Sequence, residues 1–325
     1  MTRAAQRTNA GAFYVGDSES LLRDDLAPGF RGKVDLILTS PPFPLNNKKS
    51  YGNLTGKAYR EWFIGLARLF SEFIAPSGSI VIELGNAWMS GRPVQSLLPL
   101  ECLVGFVKSR GAGLRLCQQF ICHNPARLPS PVEWVNVRRI RATDSYTHVW
   151  WMAKSDFPKA DNRRVLRPYS KSMRRLLKDQ SYNSGKRPSE HTIGDRSFLL
   201  RHGGSIQPNF LAMSVTAGEK DLRLPSVMRL ANTNSNDFYL RHCREEGIDP
   251  HPARMHPSLA AYFVGLLTEP GDLVLDPFAG SNTTGFVAEL LGRRWVSIDV
   301  ARDFVRQSRI RFRDPRLQRA GMSKE

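Results

Sequence analysis

The chain has 325 residues, 41% of them hydrophobic, so it carries enough apolar material for a large core and is not a disordered protein. With 47 lysine and arginine residues against 30 acidic ones, its formal net charge is +17, which favours a polyanionic partner such as nucleic acid over an acidic small molecule. No apolar run approaches the roughly 20 residues of a membrane span, and the N-terminus lacks the apolar core of a signal peptide, so we expect a cytoplasmic protein without a membrane partner.

Strand and helix signals alternate through the first half of the chain at the spacing of a doubly wound α/β sheet. The clearest helix is Lys57–Ile74, where large apolar residues recur every three or four positions and Pro76 and Gly78 follow as a stop signal. Asp17 precedes another helix, whose first turn its side chain can cap. The predicted strands are Phe13–Val15, Val34–Leu38, Ser79–Leu84, Leu114–Cys122 and Thr147–Met152, and the other predicted helices are Ser20–Leu26 and Gln95–Arg110.

The character of the chain changes from about residue 155 to residue 249, where periodicity weakens and Pro, Gly, Ser, Asn and basic residues take over. This stretch is either an accessory binding region or a set of poorly ordered loops. We expect residues 1–155 and 250–325 to form the two halves of one sheet domain, with 156–249 as a separate region between them. Beyond it the pattern predicts helices Ser258–Leu267, Thr283–Leu291 and Arg302–Phe312 and strands Asp272–Leu275 and Trp295–Ile298.

The strand Val34–Leu38 leads into Thr39, Ser40, Pro41, Pro42 and Phe43, the sequence "TSPPF". Two prolines can neither continue a ladder nor start a helix freely, so the strand ends in a rigid corner. Open parallel sheets bind ligands just beyond the carboxyl ends of their strands. The corner is therefore a candidate site.

A second candidate is "GDLVLDPFAGSNTTG" (Gly271–Gly285), in which an apolar strand ends at Asp276 and a Gly- and Ser-rich turn opens a helix. Such a turn lets the backbone approach a ligand closely and directs N–H groups toward it. Asp299 ends the next strand, where nucleotide-binding sheets place a carboxylate for ribose hydroxyls. The chain has no phosphate loop and an incomplete three-glycine pattern, which disfavours ATP and NAD.

The cysteines point neither to a disulfide framework nor to a metal site. They form no Cys-x-x-Cys pair and show no metal-like spacing with the seven histidines. We expect buried, inert thiols and no metal. The four are Cys102, Cys117, Cys122 and Cys243.

Both candidate motifs resemble those of DNA amino-methyltransferases: "TSPPF" is similar to the catalytic motif and "DPFAGSNTTG" to the S-adenosylmethionine turn. The catalytic motif comes first, as in the β group of this family, whose sheet is circularly permuted. Four further segments, "LPSPVEWVNVRRIR", "VWWMAKS", "GGSIQPN" and "HPAR", resemble PvuII-type enzymes that methylate the position-4 amine of cytosine.

The resemblance implies a Rossmann-like, mostly parallel methyltransferase sheet with a smaller target-recognition region at 156–249. It implies S-adenosylmethionine as cofactor and double-stranded DNA as partner. It also implies a monomer, one that does not bind directly to any cognate restriction endonuclease.

The resemblance further implies a role for each motif residue. The catalytic residues would be Ser40, Pro41, Pro42 and Phe43. Asn282 stands where many members of the family have a second glycine. The cofactor-binding residues would be Asp17 near the adenine, Asp276, Phe278, Gly280, Ser281, Asn282, Thr283, Thr284 and, on the ribose, Asp299.

The chemistry of an exocyclic amine explains why such a corner is needed. The nitrogen lone pair of cytosine is conjugated with the ring, so acceptors aimed at its two N–H bonds must turn it toward the methyl group, and they strengthen as positive charge develops. The Ser40 hydroxyl and the Pro41 carbonyl are such acceptors, held in place because proline fixes φ. Phe43 offers a face on which a flipped base can stack.

Two other functions stay open from the sequence. Adenine methylation is one, because Ser-Pro-Pro is not perfectly exclusive to cytosine enzymes. A DNA-binding regulator without turnover is the other, and the intact motif residues argue against it. Attack at carbon 5 of cytosine is disfavoured, since no cysteine follows a proline as that chemistry requires.

DNA contacts are expected in two places. The segment Pro44–Asn53 carries Lys48 and Lys49 beside the catalytic corner and is predicted to be a mobile loop that closes on DNA. The region from 159 to 244 has 17 basic and 7 acidic residues and so holds more than half of the net charge. Its candidates for reading base edges are Arg187, Glu190, His191 and Arg196.

Overall fold

The structure is a computed structural model that describes residues 2–44, 54–125, 127–194, 196–212 and 237–322. The strands of the main sheet are β1 (Gln6–Arg7), β2 (Gly11–Val15), β3 (Val34–Thr39), β4 (Ile74–Gly85), β5 (Arg115–His123), β6 (Tyr146–Ala153), β9 (Phe210–Ala212), β10 (Leu273–Asp276) and β11 (Arg294–Asp299), and β7 (Gly185–Lys186) pairs with β8 (Thr192–Ile193) outside it. The α-helices are α1 (Ser18–Ser20), α2 (Ala27–Phe30), α3 (Gly56–Phe73), α4 (Leu98–Val107), α5 (Lys171–Asp179), α6 (Phe238–Glu245), α7 (Pro257–Leu267), α8 (Thr283–Leu290), α9 (Arg302–Ser308) and α10 (Pro315–Met322). Tighter or wider helical turns cover Leu21–Leu26, Glu133–Val137, Asn162–Val165 and Arg311–Arg313.

The sheet has nine strands in the order β1-β2-β11-β10-β3-β4-β6-β5-β9. The five strands from β2 to β4 in this order run parallel, and β6 is antiparallel to both of its neighbours. The central pair joins the two ends of the chain, since β3 comes from the N-terminal half and β10 from the C-terminal part. This confirms the expected mostly parallel, circularly permuted α/β fold.

Apolar side chains cover both faces of the sheet, as a doubly wound fold requires. On one face α3 and α4 bury an aromatic cluster that includes Phe63, Phe70 and Phe106. On the other face α7 and α8 pack against the sheet, and every residue of α7 after Pro257 is buried. Burying each such large side chain contributes about 1.5–3 kcal/mol, so the helices hold the parallel strand ends in a fixed arrangement.

The predicted end of the long helix is wrong in one respect. The helix stops at Phe73, and Pro76 and Gly78 lie inside β4, which starts at Ile74 and is longer than the predicted Ser79–Leu84. Val34 pairs with Ile74 whereas Leu36 pairs with Ser79, so extra residues of β4 bulge out of the ladder. A proline is tolerated at such a bulge because no ladder hydrogen bond is needed from it.

Two other predicted helices differ in extent. Gln95 forms a β-bridge with Trp88, so α4 begins only at Leu98, where Pro99 occupies the first turn. The predicted helix Arg302–Phe312 ends at Ser308 and is followed by a 3₁₀ turn and by α10, which the sequence analysis did not predict.

Residues of the predicted target-recognition region take part in the main fold at two points. β9 adds a parallel strand next to β5, and Tyr239 and Cys243 of α6 pack against Ile310 near the C-terminus. The division of the chain at residues 155 and 249 stays a prediction.

Candidate active site

The two candidate motifs meet at the carboxyl edge of the sheet. Leu36 and Ile37 of β3 pair with Val274 and Leu275 of β10, so the two strands end side by side. Thr39, the last residue of β3, donates a 2.7 Å hydrogen bond from its Oγ1 to Oδ1 of Asp276, and both side chains are buried. This bond ties the Ser-Pro-Pro-Phe corner to the glycine-rich turn.

Hydroxyl groups and an aromatic ring make the contacts described at the corner. The Tyr59 hydroxyl donates a 2.8 Å hydrogen bond to the carbonyl of Pro42, while the Ser40 hydroxyl lies 3.5 Å from the backbone carbonyl of Glu83. The Phe43 ring packs directly over Gly85, where a Cβ atom would lie only 2.6 Å from the ring. Phe43 thus depends on a residue without a side chain at the end of β4.

Sequence reasoning missed Glu83, which lies on β4 beside the corner. Burial raises the pKa of its carboxyl to about 7, against a hydrogen bond from the Thr147 hydroxyl and the charge of Arg127, which both lower it. The signal was present in the sequence, because Glu83 is the single charged residue within the apolar run Ser79–Leu84.

A buried polar network continues from β4 to β6. The amide of Asn86 donates a 2.7 Å hydrogen bond to Asp144, and its carbonyl oxygen lies 2.9 Å from Nε2 of His148. Burial lowers the pKa of His148, although the charge of Asp144 opposes this shift. These hydrogen bonds between side chains tie the segment between β5 and β6 to the end of β4 next to the corner.

The glycine-rich turn has two residues in the left-handed conformation, Gly280 with φ +49° and Asn282 with φ +57°. Asn282 tolerates this region better than most residues, which explains why it can stand in a glycine position. Its side-chain oxygen caps α8 by accepting from the Gly285 N–H at 3.1 Å and also accepts from the Ser297 hydroxyl at 2.7 Å. Its Nδ2 is buried without a hydrogen-bond partner among the described residues.

Asp299 lies next to this turn at the end of β11. Its Oδ2 accepts a 2.8 Å hydrogen bond from the Gly280 N–H and its Oδ1 a 2.9 Å bond from the Ala301 N–H. Burial raises its pKa, and the backbone hydrogen bonds oppose that shift. Asp17 is on the neighbouring strand end, where it caps α1.

The other predicted cofactor residues also gather here, but with different exposure. Phe278 is partly buried and contacts the edge of Trp62. Asp276 is buried, and this burial raises the pKa of its carboxyl to about 6. The side chains of Ser281, Thr283 and Thr284 are also buried, so in this arrangement the turn presents mainly its backbone to a ligand.

The predicted base-reading residues lie on or beside the β7–β8 hairpin, away from these two motifs in sequence. Arg187 and His191 flank its turn and share a 2.8 Å backbone hydrogen bond, and Glu190 at the tip has φ +66°. The Arg187 guanidinium lies over the ring of Tyr182, whereas Arg196 is exposed. Lys48 and Lys49, with most of the predicted closing loop, lie outside the described residues.

The described residues were also searched for membrane-spanning helices, metal ligands and cavities. Among the described residues, no helix is both long enough and apolar enough to cross a bilayer. The described part of the chain contains no cluster of His, Cys, Asp and Glu side chains that could hold a metal ion. A cavity of about 680 Å³ opens beside Pro44, between Lys57 and Trp88, next to the catalytic corner.

Comparison with known proteins agrees with the geometry. A family model described as DNA methylase matches residues 34–309. The type II methyltransferase M.PvuII of Proteus hauseri is 40% identical, over 96% of this chain and 86% of its own, and the type II methyltransferase M.EcaI of Enterobacter cloacae is 22% identical, over 89% and 66%. The solved structure of the cytosine-N4-specific PvuII DNA methyltransferase superposes with a TM-score of 0.72 at 34% identity, over 98% of this chain and 93% of that one. The chain belongs to the DNA methylase family.

Proposed function

We propose that the protein transfers a methyl group from S-adenosylmethionine to the position-4 amine of cytosine in duplex DNA. The observation that carries this function is the contact between Thr39 and Asp276, which joins the catalytic corner to the cofactor turn across 237 positions of sequence. The 40% identity to M.PvuII and the similarity to a cytosine-N4-specific structure support cytosine as the base.

The corner is suited to activating an amine. Ser40 and the Pro41 carbonyl accept hydrogen bonds from the two N–H groups and hold the nitrogen lone pair toward the donor. The hydrogen bond from Tyr59 to the Pro42 carbonyl helps to fix the backbone of the corner before the base arrives. Phe43, packed on Gly85, provides the stacking face for a base that has left the helix.

Methylation of the amine releases a proton, and our candidate to receive it is Glu83, whose backbone carbonyl lies 3.5 Å from the Ser40 hydroxyl. Its pKa of about 7 means that a large fraction of the carboxylate is ionised at neutral pH while still being basic enough to accept the proton. Thr147 holds the carboxyl group by a 2.9 Å hydrogen bond. No cysteine nucleophile is needed, because the reaction has no covalent intermediate.

The residues of the turn fit S-adenosylmethionine, which supplies the methyl group. Gly280 has φ +49°, and a Cβ there would lie 3.0 Å from the ring of His251, so a glycine is needed for this shape of the turn. Asp299 retains acceptor capacity beside its two backbone bonds and would bind the ribose hydroxyls, and Asp17 would lie near the adenine. Phe278 and the Ser281–Thr284 turn would hold the methionine part.

The finer assignments belong to the same proposal. The enzyme acts as a monomer in the cytoplasm and protects the sites of a cognate restriction endonuclease without binding it. The β7–β8 hairpin, with Arg187, Glu190, His191 and Arg196, reads the DNA sequence, and Lys48 and Lys49 contact phosphates.

Methyl transfer to DNA tests the function directly. Duplex DNA is incubated with the protein and S-adenosylmethionine labelled in its methyl group, and the nucleosides are then separated. We expect the label in N4-methylcytosine. Label in N6-methyladenine would replace cytosine by adenine as the target, and unlabelled DNA in the presence of bound cofactor would indicate a regulator without turnover.

A further inference from the structure

A buried arginine from the C-terminal segment holds the cofactor turn from behind. The side chain of Arg311 is 4% exposed, and its guanidinium donates two hydrogen bonds to one residue, from Nε to the Ser281 carbonyl at 2.8 Å and from Nη2 to the Ser281 hydroxyl at 2.9 Å. Arg311 lies 30 positions beyond Ser281 and belongs to none of the motifs identified in the sequence. Its grip fixes both the backbone and the side chain of Ser281.

Ser281 lies at the centre of the turn that Arg311 contacts. It stands between Gly280 and Asn282, which both have left-handed backbone conformations. Unfavourable conformations persist only where surrounding contacts fix them. Gly280 is held by Asp299 and Asn282 by Ser297, so Arg311 completes a set of three sequence-distant anchors.

The guanidinium of Arg311 carries its positive charge in a buried position, where desolvation is unfavourable. Burying a charge costs several kcal/mol unless it is compensated, and burial does lower the pKa of Arg311. The compensation includes the ring of Tyr239, which lies 4.1 Å from the guanidinium carbon, and the negative charge of Asp237. A neutral hydrogen-bond donor could hold Ser281 without this cost, so the positive charge itself calls for an explanation.

The chemistry of the cofactor provides one. S-adenosylmethionine carries a single carboxylate, at the methionine end, together with an ammonium and a sulfonium group. The carboxylates of Asp17 and Asp299 make their side of the site suitable for hydroxyl groups rather than for an anion. Near Ser281, by contrast, lie the N-terminal end of α8, which has a partial positive charge, and the guanidinium of Arg311. The electrostatic potential of both favours a negatively charged group at this end of the turn.

We propose that Arg311 is a positioning residue that fixes Ser281 and makes this part of the turn selective for the carboxylate end of the cofactor. The inference rests on the proposed function of the turn. Arg311 does not contact the reacting atoms, and its effect is on cofactor affinity and on the preference for a ligand that has the carboxylate.

Two ligands that differ only in this group test the inference by calorimetry without DNA: S-adenosylmethionine and its decarboxylated form. We expect Arg311→Met to weaken S-adenosylmethionine binding at least tenfold and to change binding of the decarboxylated ligand less than threefold. Arg311→Lys keeps the positive charge but cannot form both hydrogen bonds to Ser281. Its affinity for S-adenosylmethionine should lie between those of the wild type and Arg311→Met.

Arg293→Met is the matched control. Arg293 is also buried; it donates hydrogen bonds from Nε and Nη2 to the hydroxyl and carbonyl of Thr268 and from Nη1 to the carbonyl of Leu291, away from the cofactor turn. Its loss should lower the stability of the fold without changing the ratio of the two ligand affinities.

The outcomes separate the possible roles. An equal loss of both affinities in Arg311→Met would reduce Arg311 to general support of the turn, and unchanged affinities would remove it from the site; either result overturns the inference. If Arg311→Met does not fold, Ser281→Ala removes one of the two acceptors and should weaken S-adenosylmethionine binding severalfold more than binding of the decarboxylated form. Failure of the wild-type protein to bind S-adenosylmethionine would instead overturn the proposed function.

Discussion

The cofactor turn and the catalytic corner lie side by side, but they are built differently. Gly280, Ser281 and Asn282 each form hydrogen bonds of 2.7 to 2.9 Å with a side chain from elsewhere in the sequence. At the corner, the Tyr59 hydroxyl donates to the Pro42 carbonyl at 2.8 Å, and the Ser40 hydroxyl lies 3.5 Å from the Glu83 carbonyl.

The difference matches what each region has to bind. A small cofactor is bound best by a site that does not rearrange, because ordering the site on binding lowers the affinity. The acceptors of the corner have to form their hydrogen bonds to an amine whose geometry changes during the reaction, and catalytic hydrogen bonds are often long before the substrate arrives. Mutations in the two regions should therefore separate affinity from rate.

The largest effect is expected from Ser40→Ala. Removing one preorganised hydrogen bond to the reacting group typically lowers the rate by about 10²–10³-fold, whereas cofactor affinity should be unchanged because Ser40 belongs to the corner. Single-turnover methylation at saturating cofactor measures the rate, and calorimetry measures the affinity. A single-turnover rate equal to that of the wild type would remove Ser40 from the mechanism.

Asp299→Ala should show the opposite pattern. The carboxylate is proposed to bind ribose, and losing a charged hydrogen-bond acceptor costs about 1.5–3 kcal/mol of cofactor affinity. Loss of its bond to the Gly280 N–H adds to this cost. Asp299→Asn keeps one acceptor oxygen and should lose less. Cofactor binding of normal strength in Asp299→Ala would contradict the ribose assignment.

A pair of glycine substitutions compares the regions under the same steric change. In Gly85→Ala the new Cβ would lie 2.6 Å from the Phe43 ring, and in Gly285→Ala it would lie 2.3 Å from Oδ1 of Asn282. Overpacking of this kind costs about 1–3 kcal/mol, which corresponds to roughly 5- to 150-fold in a rate or an affinity. We expect Gly85→Ala to lower the single-turnover rate and Gly285→Ala to lower cofactor affinity. The same loss of both quantities in each variant would mean that the two regions are not independent.

The smallest effect is a pH dependence of stability. Because the pKa of Glu83 is about 7 in the fold and near 4.5 in the unfolded chain, the folded state binds more protons between these values, and stability falls as pH rises through this window. Asp276, with a pKa of about 6, contributes in the same direction at lower pH. Urea unfolding between pH 6 and 7.5 should therefore show a decline in the wild type that is smaller in Glu83→Gln. Equal slopes in both proteins would place the Glu83 carboxyl in a more solvated environment.

Sequence reasoning worked best where local pattern and fold agree. The apolar runs that end in Ser-Pro-Pro-Phe and in the glycine-rich turn did become β3 and β10, because a short apolar run between turn signals has few alternatives to a buried parallel strand. The two motifs lie together because β3 and β10 are parallel neighbours, whose carboxyl ends share one edge of the sheet.

The parts that were missed depend on contacts between distant segments. Arg311 has no recognisable local motif, and Glu83 stands out only as the single charged residue of an apolar run. The packing of β4 beside the corner and of the C-terminal turn against Ser281 gives the two residues their place at the site. The start of β4 at Ile74 was missed for a similar reason, because a bulge opposite β3 accommodates Pro76 and Gly78 in a strand. The bridge of Gln95 to Trp88, which delays α4, is likewise a tertiary contact that overrides local propensity.

We propose that the methyl acceptor is the exocyclic amine of cytosine. DNA in which cytosine is replaced by modified cytosines distinguishes this acceptor from carbon 5 and from adenine. One duplex is copied with 5-methylcytosine in place of every cytosine, which blocks carbon 5 and leaves the amine free, and a second is copied with N4-methylcytosine, which occupies the amine. With labelled S-adenosylmethionine we expect the first duplex to be methylated, as unmodified DNA is, and the second to take up no label. Label at carbon 5 of cytosine or on adenine in the nucleosides of the N4-methylcytosine duplex would contradict the proposal, because the methyl group would then have an acceptor other than the cytosine amine.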